Sequence, residues 1–127
     1  IEVAKRFKDL DPYDHVGNAV IVDYIMEARV RAYRIWGLSD RSVIGQVVVR
    51  QEINYRRPIY FDLEPLVVRT WVSRVGDSSF AMDYEVLDHG AVAADAKTVM
   101  VCFDTESKTS RSIPDEFRST LLEHLES

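Results

Sequence analysis

"DLDPYDHVGNAVIVDYIMEAR", residues Asp9 to Arg29, is the stretch on which the reading of the chain turns. Asp9, Asp11, Asp14 and His15 crowd its first seven residues, and an apolar, helix-spaced run follows at once. Pro12 biases Asp11 towards an extended backbone, so "DPYD" reads as a strand exit and turn. Asn18 is suited to cap the helix, with Gly17 easing the turn before it. Two explanations of the acids compete. In one they shape a turn and cap a helix. In the other a carboxylate is held beside the positive end of a helix dipole, ready to act on a bound substrate. Spacing alone leaves both open.

The helix is expected from Ala19 to Trp36. At roughly 100° per residue, Asp23, Glu27, Arg31 and Arg34 fall within an arc of about 80°. Most of the remaining circumference is apolar, from Ile21 and Val22 to Ile35 and Trp36. Such a helix wants cover on most sides, where a surface helix needs one stripe. Gly37 is expected to end it. Arg29 lies within the apolar arc and is expected to pair with a buried acid or reach an interface.

Around this helix the pattern is β. A short strand is expected within residues 1–9. Strand-like runs follow at about Val43–Arg57, ending at Pro58, and at Leu66–Val75. A "GDSS" turn leads to a run in which Phe80, Met82, Tyr84 and Val86 share a face. "DHG" at Asp88–Gly90 leads to another, with Val92, Ala94, Ala96, Thr98, Met100 and Cys102 on one face. Strand after strand with short turns means an antiparallel sheet. Ser112 and Pro114 open a terminal helix with Phe117, Leu121, Leu122 and Leu125 on its apolar side. The expected class is α+β in one domain, residues 1–127. A curved, five-stranded antiparallel sheet wraps one long central helix, with a short C-terminal helix added. An open sheet edge invites a second copy, so a dimer is expected.

Composition narrows the partners. The net charge is −5 over 127 residues, with no basic block to neutralise phosphates, which argues against nucleic acid. Hydrophobic residues make up 46%, enough for a core. No apolar run approaches the ~20 residues of a membrane helix, and no signal peptide is visible. The chain opens at Ile1 rather than Met, so a few native residues are expected to precede it. The single cysteine, Cys102, is expected in the core and suits a reducing, cytoplasmic compartment. His15, His89 and His124 show no metal-ligand spacing.

"DLDPYDHVGNA" followed by "YIMEAR" resembles the opening motif of hotdog-fold acyl-CoA thioesterases. It is similar to the 4-hydroxybenzoyl-CoA thioesterase branch and, through Asp11 and His15, to plant acyl-ACP thioesterases. "YRRPIYFDLE" at Tyr55–Glu64 resembles the same family's strand ending in proline before an acidic turn. The resemblance implies homodimers or homotetramers with active sites at the dimer interface, and hydrolysis of an acyl thioester without a metal or other cofactor. Coenzyme A or an acyl carrier then belongs to the substrate. Position by position, Asp11 is the implied catalytic carboxylate, His15 an assisting histidine, and Asn18 the donor of a backbone amide to the thioester oxygen. The sequence departs from its relatives at Gly17, where many carry asparagine, and at Tyr13, where the acyl-ACP branch carries a polar amide.

The chemistry suits these residue types. Unpaired amides at a helix start, here about Gly17 to Val20, stabilise the oxyanion formed on attack at the carbonyl. A nearby carboxylate deprotonates water or attacks directly. Glu27, on the polar strip, is the reserve carboxylate, since some hotdog enzymes place theirs on this helix; the plainer reading makes it a surface partner of Arg31. Asp9 and Asp14 read as solvated turn acids. Arg56, Arg57, Arg74 and Lys97 are candidates for the phosphates of coenzyme A. Two other functions stay in play: an acyl-thioester hydratase or dehydratase of the same fold, and a non-catalytic acyl-CoA-binding dimer module.

Overall fold

The computed structural model describes residues 1–38, 45–104 and 106–126. The elements run β1 (Glu2–Val3), a 3-10 turn (Phe7–Asp9), α1 (Asn18–Ile35), β2 (Gln46–Tyr55), β3 (Leu66–Val75), β4 (Ser79–Asp88), β5 (Ala91–Asp104), β6 (Thr109–Ser110) and α2 (Asp115–Glu123). The class is α+β. The sheet order is β1-β3-β4-β5-β2, with β6 paired to β5. The sheet therefore has six strands where five were expected, the extra one being the two-residue β6. β1 pairs antiparallel with β3, Glu2 opposite Val67 and Val3 opposite Leu66.

Alternation explains the strands. Phe80, Met82, Tyr84 and Val86 of β4 are buried, and so are Ala94, Ala96, Thr98, Met100 and Cys102 of β5. The start of the first long run, Val43 and Ile44, lies outside the described residues. Gly45 sits at φ +83, and a Cβ there would lie 2.7 Å from the Phe103 carbonyl oxygen, so only glycine fits. Gly37, at φ +84, closes α1 as expected. Leu38 N–H donates to the Tyr33 carbonyl at 2.9 Å, the Schellman bond.

α1 corrects one expectation. Its buried residues, Ile21, Tyr24, Ile25, Ala28, Arg29, Ala32 and Tyr33, form an ordinary core stripe. Met26, Val30 and Ile35 are exposed, so cover on most sides is not what this chain provides. On α2 only Phe117 and Leu121 are buried; Leu122 is exposed, and Leu125, expected on the same face, is exposed beyond the end of the helix.

The described residues group into two compact units. One comprises Ile1–Ala32, Ile53–Thr70 and Tyr84–Ala96, and the other holds the rest. In the second, Phe117 packs on Tyr33 and Phe80 with ring centroids 5.6 and 5.4 Å apart. Trp36 stacks on His124 at 4.1 Å. The first unit carries the acid-rich loop.

Candidate active site

Residues 9–17 close into a laddered loop. At its base, Gly17 N–H donates to the Asp9 carbonyl at 3.0 Å. Leu10 and Val16 form an antiparallel bridge, and Asp11 N–H donates to the His15 carbonyl at 2.7 Å. The tip is made by Pro12, Tyr13 and Asp14. Asp14 stands at φ +62, in the left-handed region that aspartate tolerates better than most residues. The Asp11 carboxylate folds over this tip: its Oδ1 accepts the N–H groups of Tyr13 at 2.9 Å and His15 at 3.1 Å. That is the Asx-turn geometry of a turn-shaping acid. Its Oδ2 makes no hydrogen bond among the described residues and is left for a ligand or water.

The helix start differs in detail from expectation. The carbonyl that opens α1 belongs to Gly17, accepting from Val20 N–H at 3.0 Å and Ile21 N–H at 3.4 Å. Gly17 therefore takes the cap position and Asn18 is the first helical residue. Of the amides from Gly17 to Val20, those of Gly17 and Val20 are already used. Asn18 and Ala19 N–H have no acceptor among the described residues. The Asn18 carbonyl accepts from the Tyr55 hydroxyl at 3.1 Å.

His15 is held from the other side. Val16 N–H donates to the Ile59 carbonyl at 2.8 Å, His15 bridges Tyr60 in an antiparallel pair, and the two rings meet edge to face at 4.9 Å. Tyr13 is exposed, its side chain pointing away from the fold.

Asp9 overturns the reading of a solvated turn acid. It is only 8% exposed, and its Oδ2 accepts from the Tyr24 hydroxyl at 2.7 Å and Arg6 Nε at 2.6 Å. Burial alone raises a carboxyl pKa, but these two hydrogen bonds outweigh it and hold Asp9 below the ordinary value. Burial, then the bond to Asp9, pushes Tyr24 up to about 12. Tyr24 escaped the sequence reading because a tyrosine on an apolar arc looks like core. The available signal was its hydroxyl, which needs an acceptor when buried.

Among the described residues no acid pairs with Arg29. Buried, it donates from Nη1 to the Tyr84 hydroxyl at 3.4 Å. Glu27 pairs with Arg31 at 3.6 Å across one helical turn, as its plainer reading had it. It also lines a groove of about 820 Å³ between residues 2–6 and the outer face of α1, with Val3, Arg6, Asp23, Tyr24, Met26, Val30 and Arg31. Asp11 is not part of that lining.

The phosphate candidates divide. Arg56 Nε is bound to Asp95 Oδ2 at 2.6 Å, and Asp95 also takes Asn54. Arg57 is exposed and has no side-chain partner among the described residues. Arg74 donates to Ser79 Oγ at 3.1 Å, and Lys97 lies 3.7 Å from Asp83. His89, Asp62 and Asp88 converge, but the Lys5 ammonium occupies the middle, 2.8 Å from Asp62 and 2.9 Å from Asp88. Among the described residues no cluster of three or more acids, histidines or cysteines is arranged to hold a metal ion. Among them also, no helix is long and apolar enough to cross a membrane.

Known proteins resemble this chain over most of its length. Residues 5–121 match the family model described as the thioesterase-like superfamily. Over 132 residues the chain is 30% identical to the long-chain acyl-CoA thioesterase FadM of Escherichia coli, with 94% of each covered. It is 25% identical over 122 residues to the 1,4-dihydroxy-2-naphthoyl-CoA hydrolase of Synechococcus elongatus, covering 91% of this chain and 89% of that one. A solved thioesterase from Thermus thermophilus, complexed with coenzyme A and zinc, matches with a TM-score of 0.84 at 31% identity, over 95% of this chain and 89% of the other.

Proposed function

The chain belongs to the thioesterase-like superfamily, and from that premise we propose that it is a thioester hydrolase that cleaves an acyl-CoA into the free acid and coenzyme A. What supports the reading is that the loop closed by Gly17 onto Asp9 immediately before α1 carries Asp11 with one carboxylate oxygen open, and that α1 begins with two unused amides, those of Asn18 and Ala19. The thioester carbonyl is bound with its oxygen on those amides, where the dipole of α1 favours negative charge. Asp11 Oδ2 takes a proton from water as the water attacks the carbonyl carbon. Alternatively it attacks that carbon itself, giving an anhydride that water opens. Either way the C–S bond breaks and the sulfur leaves as thiolate, which takes up the proton. His15, locked edge-on to Tyr60, is placed to steady the carbonyl or the leaving sulfur. Gly17, at the cap of α1, borders the bound carbonyl, exposed Tyr13 is left to meet the rest of the substrate, and Arg57 is the freer of the two arginines for a coenzyme A phosphate.

The fold in this reading is the hotdog: the sheet curls round α1 in a single domain, and two copies close an edge. β2 supports the pairing. It is an edge strand of ten residues on which Val47, Val48 and Val49 are all exposed, an edge that a soluble chain leaves uncovered at the risk of aggregation. Sedimentation of wild type as a dimer or tetramer and of Val48→Lys as a monomer is expected; a monomeric wild type contradicts it. The one buried thiol suits a reducing cytoplasm.

The direct test is release of free thiol from a panel of acyl-CoAs and acyl carrier substrates. Wild type is expected to turn over at least one acyl-CoA, and Asp11→Asn to lose about 100-fold or more in kcat. Turnover that survives Asp11→Asn and fails in Glu27→Gln moves the carboxylate to α1. No thiol release from any substrate contradicts hydrolysis.

A further inference from the structure

We propose that Asp9 is a positioning residue: its buried carboxylate, bonded by the Tyr24 hydroxyl, fixes the loop that carries Asp11 against the start of α1. This rests on the role given to Asp11 above. The two acids stand two residues apart and are treated oppositely. Two side-chain donors, the Tyr24 hydroxyl and Arg6 Nε, converge on the Asp9 carboxylate, which is buried, whereas among the described residues Asp11 is bonded only by backbone amides of its own loop and is half-buried. Environment, not residue type, divides their roles.

Asp9 is bonded at both its main chain and its side chain. Its carbonyl accepts Gly17 N–H, the rung that closes the loop just before α1. Its carboxylate accepts the hydroxyl of Tyr24, in the second turn of the same helix. The far strand of the loop is also tied, at His15 and Val16, to Tyr60 and Ile59, but the tip itself, Pro12, Tyr13 and Asp14, is exposed, and the strand that carries Asp11 is anchored outside the loop through Asp9. A rigid shift of the tip would carry Asp11 away from the Asn18 and Ala19 amides without disturbing the core. Arg6 completes the clamp, its guanidinium 5.9 Å from the centre of the Tyr24 ring. The Arg6 side chain is 48% exposed, so its pair with Asp9 contributes little to stability. What it supplies is a single geometry.

The experiment measures kcat and KM for the acyl-CoA that wild type turns over fastest, normalised to folded protein, for Tyr24→Phe, Asp9→Ala and the double variant, beside Asp11→Asn. Tyr24→Phe keeps the ring and removes only the donor, so it carries the test should Asp9→Ala not fold. The expected result is a kcat lowered about tenfold or more in each single variant, with KM within about twofold, because displacement of a reacting group acts on the chemical step. The double variant is expected to be no slower than the slower single one, since both changes break one interaction. Tyr24→Phe at wild-type kcat while Asp11→Asn is inactive overturns the positioning role and leaves hydrolysis standing. A loss in KM alone makes Tyr24 a wall of the groove and also overturns it, as does a double variant slowed by the product of the single effects. Asp11→Asn at wild-type kcat overturns both readings.

Discussion

Of the four buried polar or charged residues among those described, Lys5, Asp9 and Arg29 belong to the unit built from Ile1–Ala32, Ile53–Thr70 and Tyr84–Ala96. The second unit buries only Thr98 of that kind, and packs Phe117, Phe80 and Tyr33 together. The two have solved different problems. Rings and aliphatic chains give stability that grows with area and asks little of geometry. Buried charges give little net stability but demand fixed partners at fixed distances. The acid-rich loop with its open Asp11 oxygen lies in the unit that accepted that demand. Backbone strain does not follow the division: Asp14 and His89 in the first unit and Lys108 in the second all hold positive φ.

The contrast can be broken by substitution. The largest effect is expected in the second unit. Phe117→Ala empties a site walled by Phe80 and Tyr33, and denaturant unfolding should show a loss of about 3–5 kcal/mol, with kcat per folded molecule unchanged. An equal loss of kcat per folded molecule would mean the rings also set the site.

Lys5→Met probes the first unit. It removes the ammonium that binds Asp62 and Asp88 and leaves Asp88, largely buried, without that partner. Unfolding is expected to become easier by about 1–3 kcal/mol. No change would mean the cluster is solvated in solution.

The smallest effect is a pH dependence. The hydrogen bond that the His89 ring donates to Asp62 raises the pKa of His89 above its ordinary 6.5. Its contribution to stability is therefore complete below that value and lost as pH rises through the higher folded one. Asp62 behaves oppositely. Hydrogen bonds from Lys5 first, then His89, hold it at about 2, so its contribution is present above 3.8 and lost as pH falls towards 2. Thermal midpoints of wild type and His89→Ala should differ most near pH 5–6 and converge above about pH 9. A difference independent of pH would assign the effect to backbone strain at residue 89.

Local pattern made most of the fold legible. Leu66–Val75 was bounded to the residue, and α1 to within one at each end, because alternation, helical spacing and Gly37 are local signals. The burial of β4 and β5 followed from the same alternation except at Val92, which is half-buried, and at Ala81 and Ala93, which are buried on the other face. What escaped was set by partners distant in sequence. Asp9 reads as a solvated acid until Tyr24, fifteen residues on, is known to meet it. The Lys5 cluster draws on positions 5, 62, 88 and 89, and no period connects them. Which apolar residues of α1 are covered depends on how many layers the chain supplies, so Met26 and Ile35 were misjudged. At the site, Asp11 and Asn18 stood out through the motif, but that Gly17 and Val20 spend their amides inside the loop is a matter of backbone geometry alone.

The most direct measurement is a crystal structure with a coenzyme A analogue whose thioester is replaced by a non-hydrolysable ketone. The ketone oxygen is expected about 2.7–3.1 Å from the Asn18 or Ala19 nitrogen, with Asp11 Oδ2 about 3–3.5 Å from the carbonyl carbon or from a water that is. A ketone bound in the groove beside Glu27, with Asp11 turned to solvent, would contradict the assignment.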